Sequence, residues 1–350
     1  MIRTVEYKIK ALRDGAYLSE MRWDSAQAPS ISCRASGALK TSFSATLLPA
    51  KAGEPEINWL RDELQPCIII DGVETPLGIF RPTDTKAQRK SYITSTAVTA
   101  YDRGWVVQTT KTETLLHLSA GDGYIDVIKR LLLTCGITLV LADASSAVLP
   151  ADREDWQIGT SYLTIINQLL GEIGFNPLWF DADGLAHLQK YSAPSAAAIK
   201  RSYSVRHGLT LRPVAPGYTE TTDIYNAPNV FVCICDNADR SAVLTATAEN
   251  KSFGAKSILQ RGMRIVQTEK VTQIADQISL QAYADKLRDQ SLMGTRELTF
   301  TVPAEAGHGV GDIISIEHPD VGGIYEETGW SYNLAAGALM TIKAKRTVIL

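Results

Sequence analysis

The apolar period of this chain is two at both ends and close to 3.6 in the middle, and that switch decides which parts can be sheet and which helix. Near the front, Ser91 to Asp102 alternates over its whole length. At the back, Ile314 and Ile316, then Met340, Ile342 and Ala344, alternate with Ser, Thr and Lys. This is the pattern of strands with one face buried and the other wet. Gly311-Asp312 marks a turn at the mouth of a strand, while Gly322-Gly323 and Leu334 to Gly337 punctuate the rest of the chain. Residues 298–350 therefore read as several short antiparallel strands, as in the second half of a small barrel.

The front of the chain adds further strand candidates at Tyr7 to Lys10, Ile31 to Cys33, Ser42 to Leu47 and Cys67 to Ile70. The last runs into Asp71-Gly72, a strong hairpin signal, with a return strand from Val73 to Phe80. Glu56 to Leu64 is expected to form one helical interruption, stopped by Pro66. Residues 1–110 thus read as one antiparallel barrel or sandwich.

After Thr110 the period changes. Tyr124, Ile128, Leu131, Leu132 and Cys135 share one helical face, with Asp122 as the expected cap and Gly136 as the stop. The pattern returns from Gly159, so that Tyr124 and Tyr162, Ile128 and Ile166, Leu131 and Leu169, and Gly136 and Gly174 coincide. Strand-like pieces come next, at Thr138 to Leu141 and Pro177 to Phe180. Two such units are too few for a solenoid and suit a compact α+β domain over 111–200, with paired amphipathic helices on a small sheet that ends in a hairpin at Trp179 to Leu185. Ser192 to Ala198 suits a linker. Asn229 to Cys235 and Ala242 to Ala248 read as a strand pair, and a helix is expected over about 271–288 with Val271, Ile274, Ala275, Ile278 and Ala282 on one face. Residues 201–350 then form a second β domain, joining the strands near Val230 to those near Ile314 around the inserted helix.

Several functions find no support. Apolar runs such as Cys67 to Ile70 are too short to cross a bilayer, so no membrane insertion is expected, and Met1 to Glu6 has no secretory character, which points to the cytoplasm. A net charge of −3 gives no broad basic footprint for nucleic acid. Five scattered cysteines, with Cys233 and Cys235 on one strand face, read as buried thiols rather than metal ligands. Asp181-Ala182-Asp183-Gly184 imitates a calcium loop, but Ala186 stands where glycine is needed and Ser192 where glutamate is. His117, His187, His207, His308 and His318 are dispersed, and no zinc or nucleophile-elbow motif occurs. Asp152, Glu154 and Asp155 before Trp156 read as a solvated face. No cofactor, metal or catalytic residue is expected. The two Gly-bounded helices resemble the first half of the LysM glycan-binding module, without its second short helix and Asn-rich turn.

Tyr101-Asp102-Arg103-Gly104, the paired helices with Gly159-Thr160-Ser161-Tyr162 and Gly174-Phe175-Asn176-Pro177, the hairpin from Phe180 to Leu188, and Gly311 to Ile316 with Met340 to Ile342 together resemble another family over nearly the full length. This family is the baseplate hub proteins of tailed bacteriophages and related contractile particles, of the late control protein D type. The resemblance implies an α+β chain with two tube-type antiparallel β-barrel domains, 1–110 and 201–350, around the small α+β domain. It also implies a structural, non-enzymatic hub: a homotrimer forming a pseudo-sixfold ring that joins the tail tube protein to the central spike protein and leaves a conduit. In such a ring the Gly-punctuated strands near Val310 to Ile316 and Thr341 to Arg346 are expected to carry subunit contacts. Other baseplate or tail-tip proteins are further partners, tight nucleic-acid binding is not expected, and the place is the virion after assembly in the host cytoplasm. The chain stops at Leu350 directly after the barrel, where related tail lysins carry a hydrolase module. The alternative is a glycan-binding or glycan-cleaving tail component using Tyr124 and Tyr162.

Overall fold

In the computed structural model, the described residues are 4–90, 93–192, 198–204, 210–212, 227–236, 243–254, 256–271, 274, 276–292, 297–318 and 321–346. The front holds β1 (Val5–Arg13), β2 (Ala16–Met21), β3 (Ser30–Arg34), β4 (Thr41–Leu47), β5 (Glu63–Ile70), β6 (Val73–Pro76), β7 (Phe80–Lys90) and β8 (Ile93–Asp102). The β5–β6 hairpin turns on Asp71-Gly72 as the sequence predicts, both at positive φ (50° and 83°), the geometry that matches strand twist in a two-residue loop. The helix expected over 56–64 is absent. Asn58 to Asp62 make a turn, with the Asp62 N–H on Asn58 O, and Glu63 already begins β5. Leu60 and Leu64, which a helix would bring to one face, are parted here: Leu64 is buried on the strand while Leu60 is 88% exposed.

The middle holds α1 (Gly104–Thr109), α2 (Tyr124–Thr134), β9 (Val140–Ala142), α3 (Tyr162–Glu172), β10 (Trp179–Phe180) and β11 (Ala186–Leu188). Both amphipathic helices form where their periodicity places them, and they bury Ile128, Leu131 and Leu132 against Ile166, Leu169 and Leu170 in one core. Gly136 and Gly174, at positive φ, lie just past their ends. Asp122 is not the cap of α2. Gly123 occupies that position, and Asp122 instead accepts from Arg130 at 2.6 Å. The sheet order is β10-β11-β9, with β11 parallel to β9.

The remainder holds β12 (Ile199–Ser204), β13 (Thr210–Arg212), β14 (Val230–Cys235), β15 (Leu244–Glu249), α4 (Ile258–Arg261), β16 (Val266–Val271), α5 (Gln277–Leu292), β17 (Glu297–Pro303), β18 (Ile313–Glu317), β19 (Gly323–Asn333) and β20 (Leu339–Arg346). The strands near Val230 do not join those near Ile314. They form a separate sheet, β15-β14-β16, whose inner face with Cys233 and Cys235 packs on α5 as a third core. The expected helix starts later, because Val266 to Val271 pairs with β14, and its buried face is Leu280 and Ala284, with Ile278 80% exposed. The centre of the expected linker, 193–197, lies outside the described residues.

All other strands of the two ends belong to one 14-stranded sheet, in the order β13-β17-β20-β19-β3-β4-β8-β7-β5-β1-β2, with β12–β18 and β6 branching from it. The front ladder β4-β8-β7-β5-β1 and the back ladder β17-β20-β19-β18-β12 visit their strands in the same order. They differ at the last step, where β1 is antiparallel to β5 and β12 parallel to β18. Among the described residues no set of paired strands closes into a full barrel. One isolated bridge, Trp23 to Leu47, brings the chain leaving β2 back against the end of β4.

Candidate functional site

The feature that organises the molecule is the seam where the two ladders meet. β19 pairs antiparallel with β3 from Gly329↔Arg34 to Asn333↔Ser30. The seam is extended at both ends by Ala35 N donating to Thr328 O (2.9 Å) and Leu334 N donating to Pro29 O (2.7 Å). Gly329 allows the close approach, since a Cβ there would stand 2.7 Å from Cys33 O. Below the seam a single core runs through both halves, with Ile31, Phe43 and Phe80 from the front and Phe300, Tyr325 and Ile342 from the back. Burying that shared apolar surface and pairing its backbone ties the halves into one unit.

Each half is pinned by a buried aspartate just before its β5 or β18 strand. Asp62 accepts from Arg13 at 2.8 and 2.7 Å and from Asn58 N at 2.7 Å. Asp312 accepts from Lys200 Nζ at 2.6 Å, Arg201 Nη1 at 3.0 Å and Gly309 N at 2.9 Å. The Arg13 guanidinium holds the Asp62 carboxyl below its ordinary pKa. At Asp312 burial opposes ionisation, but Lys200, the Gly309 N–H and Arg201 outweigh it and the pKa is again lowered.

Beside Asp312, His308 is sealed between two glutamates. Its Nδ1 lies 3.0 and 3.1 Å from the Glu327 oxygens, and Nε2 lies 3.4 Å from Glu305 Oε1, an ion-pair contact rather than an aligned hydrogen bond. Burial disfavours the imidazolium, yet Glu305 and Glu327 overcome it and raise the pKa.

The Tyr101 to Gly104 corner ties the front ladder to the middle domain. Asp102 accepts from Thr41 N (2.7 Å) and Gly104 N (2.9 Å); burial raises its pKa although both N–H groups favour the carboxylate. Arg103 pairs with Glu63 at 2.8 Å and donates to Gly184 O at 3.3 Å in the β10–β11 turn.

Residues that the sequence offered for chemistry are spent on structure. Tyr124 is 1% exposed and donates to Glu172 at 2.9 Å, inside a buried cluster where Arg153 donates to the same carboxylate at 2.6 Å. It presents no surface to a glycan, and Tyr162 does not match it, being only half-buried. Asp152 accepts from Ala120 N, Glu154 faces His117, and Asp155 accepts from Arg153. Asp181 accepts from Asp183 N and Leu185 N and faces His187 Nε2 at 2.7 Å, so the calcium-like stretch is a turn. All five cysteines are buried and free. His207 lies outside the described residues. Sequence reasoning missed the clamps of Arg13, Lys200 and Arg201 and the His308 site. Gly309-Val310-Gly311-Asp312 was the available signal for one of them.

No protein-family model matches the chain, and no curated protein matches it significantly. Solved structures do. A tail protein from Neisseria meningitidis MC58 is 14% identical over 97% of both chains, with a TM-score of 0.62. The 43 kDa tail protein of prophage MuSo2 from Shewanella oneidensis is 12% identical over 98% of both, with a TM-score of 0.63. Prophage tail protein gp18 from Listeria monocytogenes EGD-e is 11% identical over 97% of this chain and 94% of that one, with a TM-score of 0.56. The chain has the fold of phage tail proteins.

Proposed function

We propose that this chain is a structural hub of a phage tail baseplate or tail tip, with domains over 1–110, 111–200 and 201–350. Three copies form a pseudo-sixfold ring that joins the tail tube to a central spike around an open conduit. The observation that carries the reading is the pair of like-ordered ladders joined at β3–β19, because two repeated units per chain turn a threefold ring into six similar positions. Two further features support a barrel in each half. The Trp23–Leu47 bridge brings the chain leaving β2, which extends the front ladder beyond β1, against β4 at the other end. In the back half, β12 and β13 lie at opposite ends of the ladder yet are separated in sequence only by residues 205–209. The strands expected to carry subunit contacts need revision: β18 lies between β12 and β19, and β20 between β17 and β19, so neither has a free edge. Ring contacts then fall to loops and sheet faces.

The role is mechanical, the partners are tube, spike and other baseplate proteins, and the place is the virion after assembly in the host cytoplasm. A conduit lets a polyanion slide, so the isolated protein has no tight, salt-sensitive hold on DNA. Labelling the protein on purified particles tests the reading, with signal expected at the tail's distal end. Label absent from particles, or spread along the tail, overturns it. Tyr124 buried against Glu172 weighs against the glycan alternative: Tyr124→Phe alters stability and leaves any retention on purified peptidoglycan unchanged.

A further inference from the structure

A cavity of about 550 Å³ opens where three parts of the chain meet: the turn after β3, the rim of the β9–β11 sheet, and the start of β18 beside α5. Its walls carry Lys40, Lys190, Lys200 and Lys286 against the carboxyl groups of Asp143, Asp312 and Glu326. Asp312 is engaged by Lys200 and Arg201, and Asp143 accepts the backbone N–H of Lys190. Burial raises the pKa of Glu326 and so favours its neutral form.

Lys40 and Lys286 are left with donors to spare. Lys40 Nζ donates to Ala35 O at 2.6 Å, and Lys286 Nζ reaches Phe175 O at 3.4 Å while standing 5.4 Å over the Tyr191 ring. Each ammonium has three N–H donors, so among the described residues these contacts leave most of them unspent. Burial lowers both pKa values, at Lys40 in spite of Cys33 and Asp102, and at Lys286 with no carboxylate to offset it. The Tyr191 hydroxyl is closed off from solvent and faces Asp289, so only its ring serves this site, beneath the Lys286 ammonium.

Half-buried ammonium groups with donors to spare are favoured when an acceptor-rich group joins them. We infer that this cavity is an oxyanion site that takes a carboxylate-bearing segment of a partner polypeptide, with Lys286 and Lys40 as donors. A peptide rather than a free anion fits the space, which is in the range of sites that hold drug-sized ligands. The amide side chains of Asn176, Gln189 and Gln290 on the same walls suit a peptide backbone. The reading of the chain as an assembly component supplies only the source of that carboxylate.

The test is calorimetric titration of the full chain with blocked triglutamate, blocked triglutamine and inorganic phosphate. Triglutamate binds saturably and triglutamine does not. Lys286→Met weakens triglutamate at least about tenfold, the loss of one charge-assisted hydrogen bond, and Lys286→Arg keeps most of the affinity. Unfolding midpoints check that the variants are folded, and Lys40→Met carries the test if Lys286→Met is not. No saturable binding, binding unchanged in the methionine variants, or phosphate bound more tightly than triglutamate overturns the proposal. Binding is read on the isolated chain, so rings without binding reject this site alone, and binding without rings rejects only the hub.

Discussion

Asp62 and Asp312 hold the same place in the two ladders. Each directly precedes the fourth strand of its ladder, β5 or β18, and each is buried, at 0% and 3% exposure. Each is gripped by an arginine of the next strand, Arg13 of β1 or Arg201 of β12. Each also caps a turn through a backbone N–H just upstream, from Asn58 or Gly309. The repeated clamp locks β5 and β18 alike, even though β1 and β12 run in opposite senses relative to them.

Removing either clamp destabilises the fold. Asp62→Asn and Asp312→Asn are each expected to cost on the order of 1–3 kcal/mol, since the charge-assisted character of the buried carboxylate's hydrogen bonds is lost. Both folded carboxyl pKa values are lowered, so the stabilisation is complete above the unfolded value of about 3.9 and disappears as pH falls through the folded values. Chemical denaturation between neutral and acid pH checks this: the wild type loses stability across that window, and the double variant loses much less.

The seam has its own single-residue test. Gly329→Val places a side chain where even a Cβ would stand 2.7 Å from Cys33 O, so β19 and β3 must separate. A loss of about 1–3 kcal/mol is expected from overpacking. Amide exchange should rise first at the β3 and β19 positions that face each other and not in the β9–β11 sheet.

His308 gives a signal of opposite sign to the aspartates. Its pKa is raised by Glu305 and Glu327 against the effects of burial and Arg201. Protonated His308 therefore contributes stability that is complete below the unfolded value of about 6.5 and is lost as pH rises through the folded value. His308→Gln should remove that decline in a denaturation series run from pH 6 to pH 9, and an NMR titration of the imidazole should show the raised midpoint.

Elements are legible in the sequence wherever one period persists: β8, the two amphipathic helices and β20 stand out because each has a long, regular apolar face. Tertiary choices are hidden. Val271, expected to open a helix, instead ends β16 because β14 is there to pair with it, and Ile278 is left outside because α5 turns Leu280 and Ala284 inward. Gly322-Gly323 reads as a break, yet Gly323 opens β19, the long strand that joins both halves. The clamps are least visible. Arg13 and Asp62 are far apart in the chain, and only folding makes them a pair.

The proposed function stands on the ring. Light-scattering mass and electron-microscope class averages, taken on the isolated protein and again with its tube and spike partners, test it most directly. Threefold rings with six similar lobes are expected in at least the second condition. Monomers or dimers in both conditions, with no threefold particles, would contradict it.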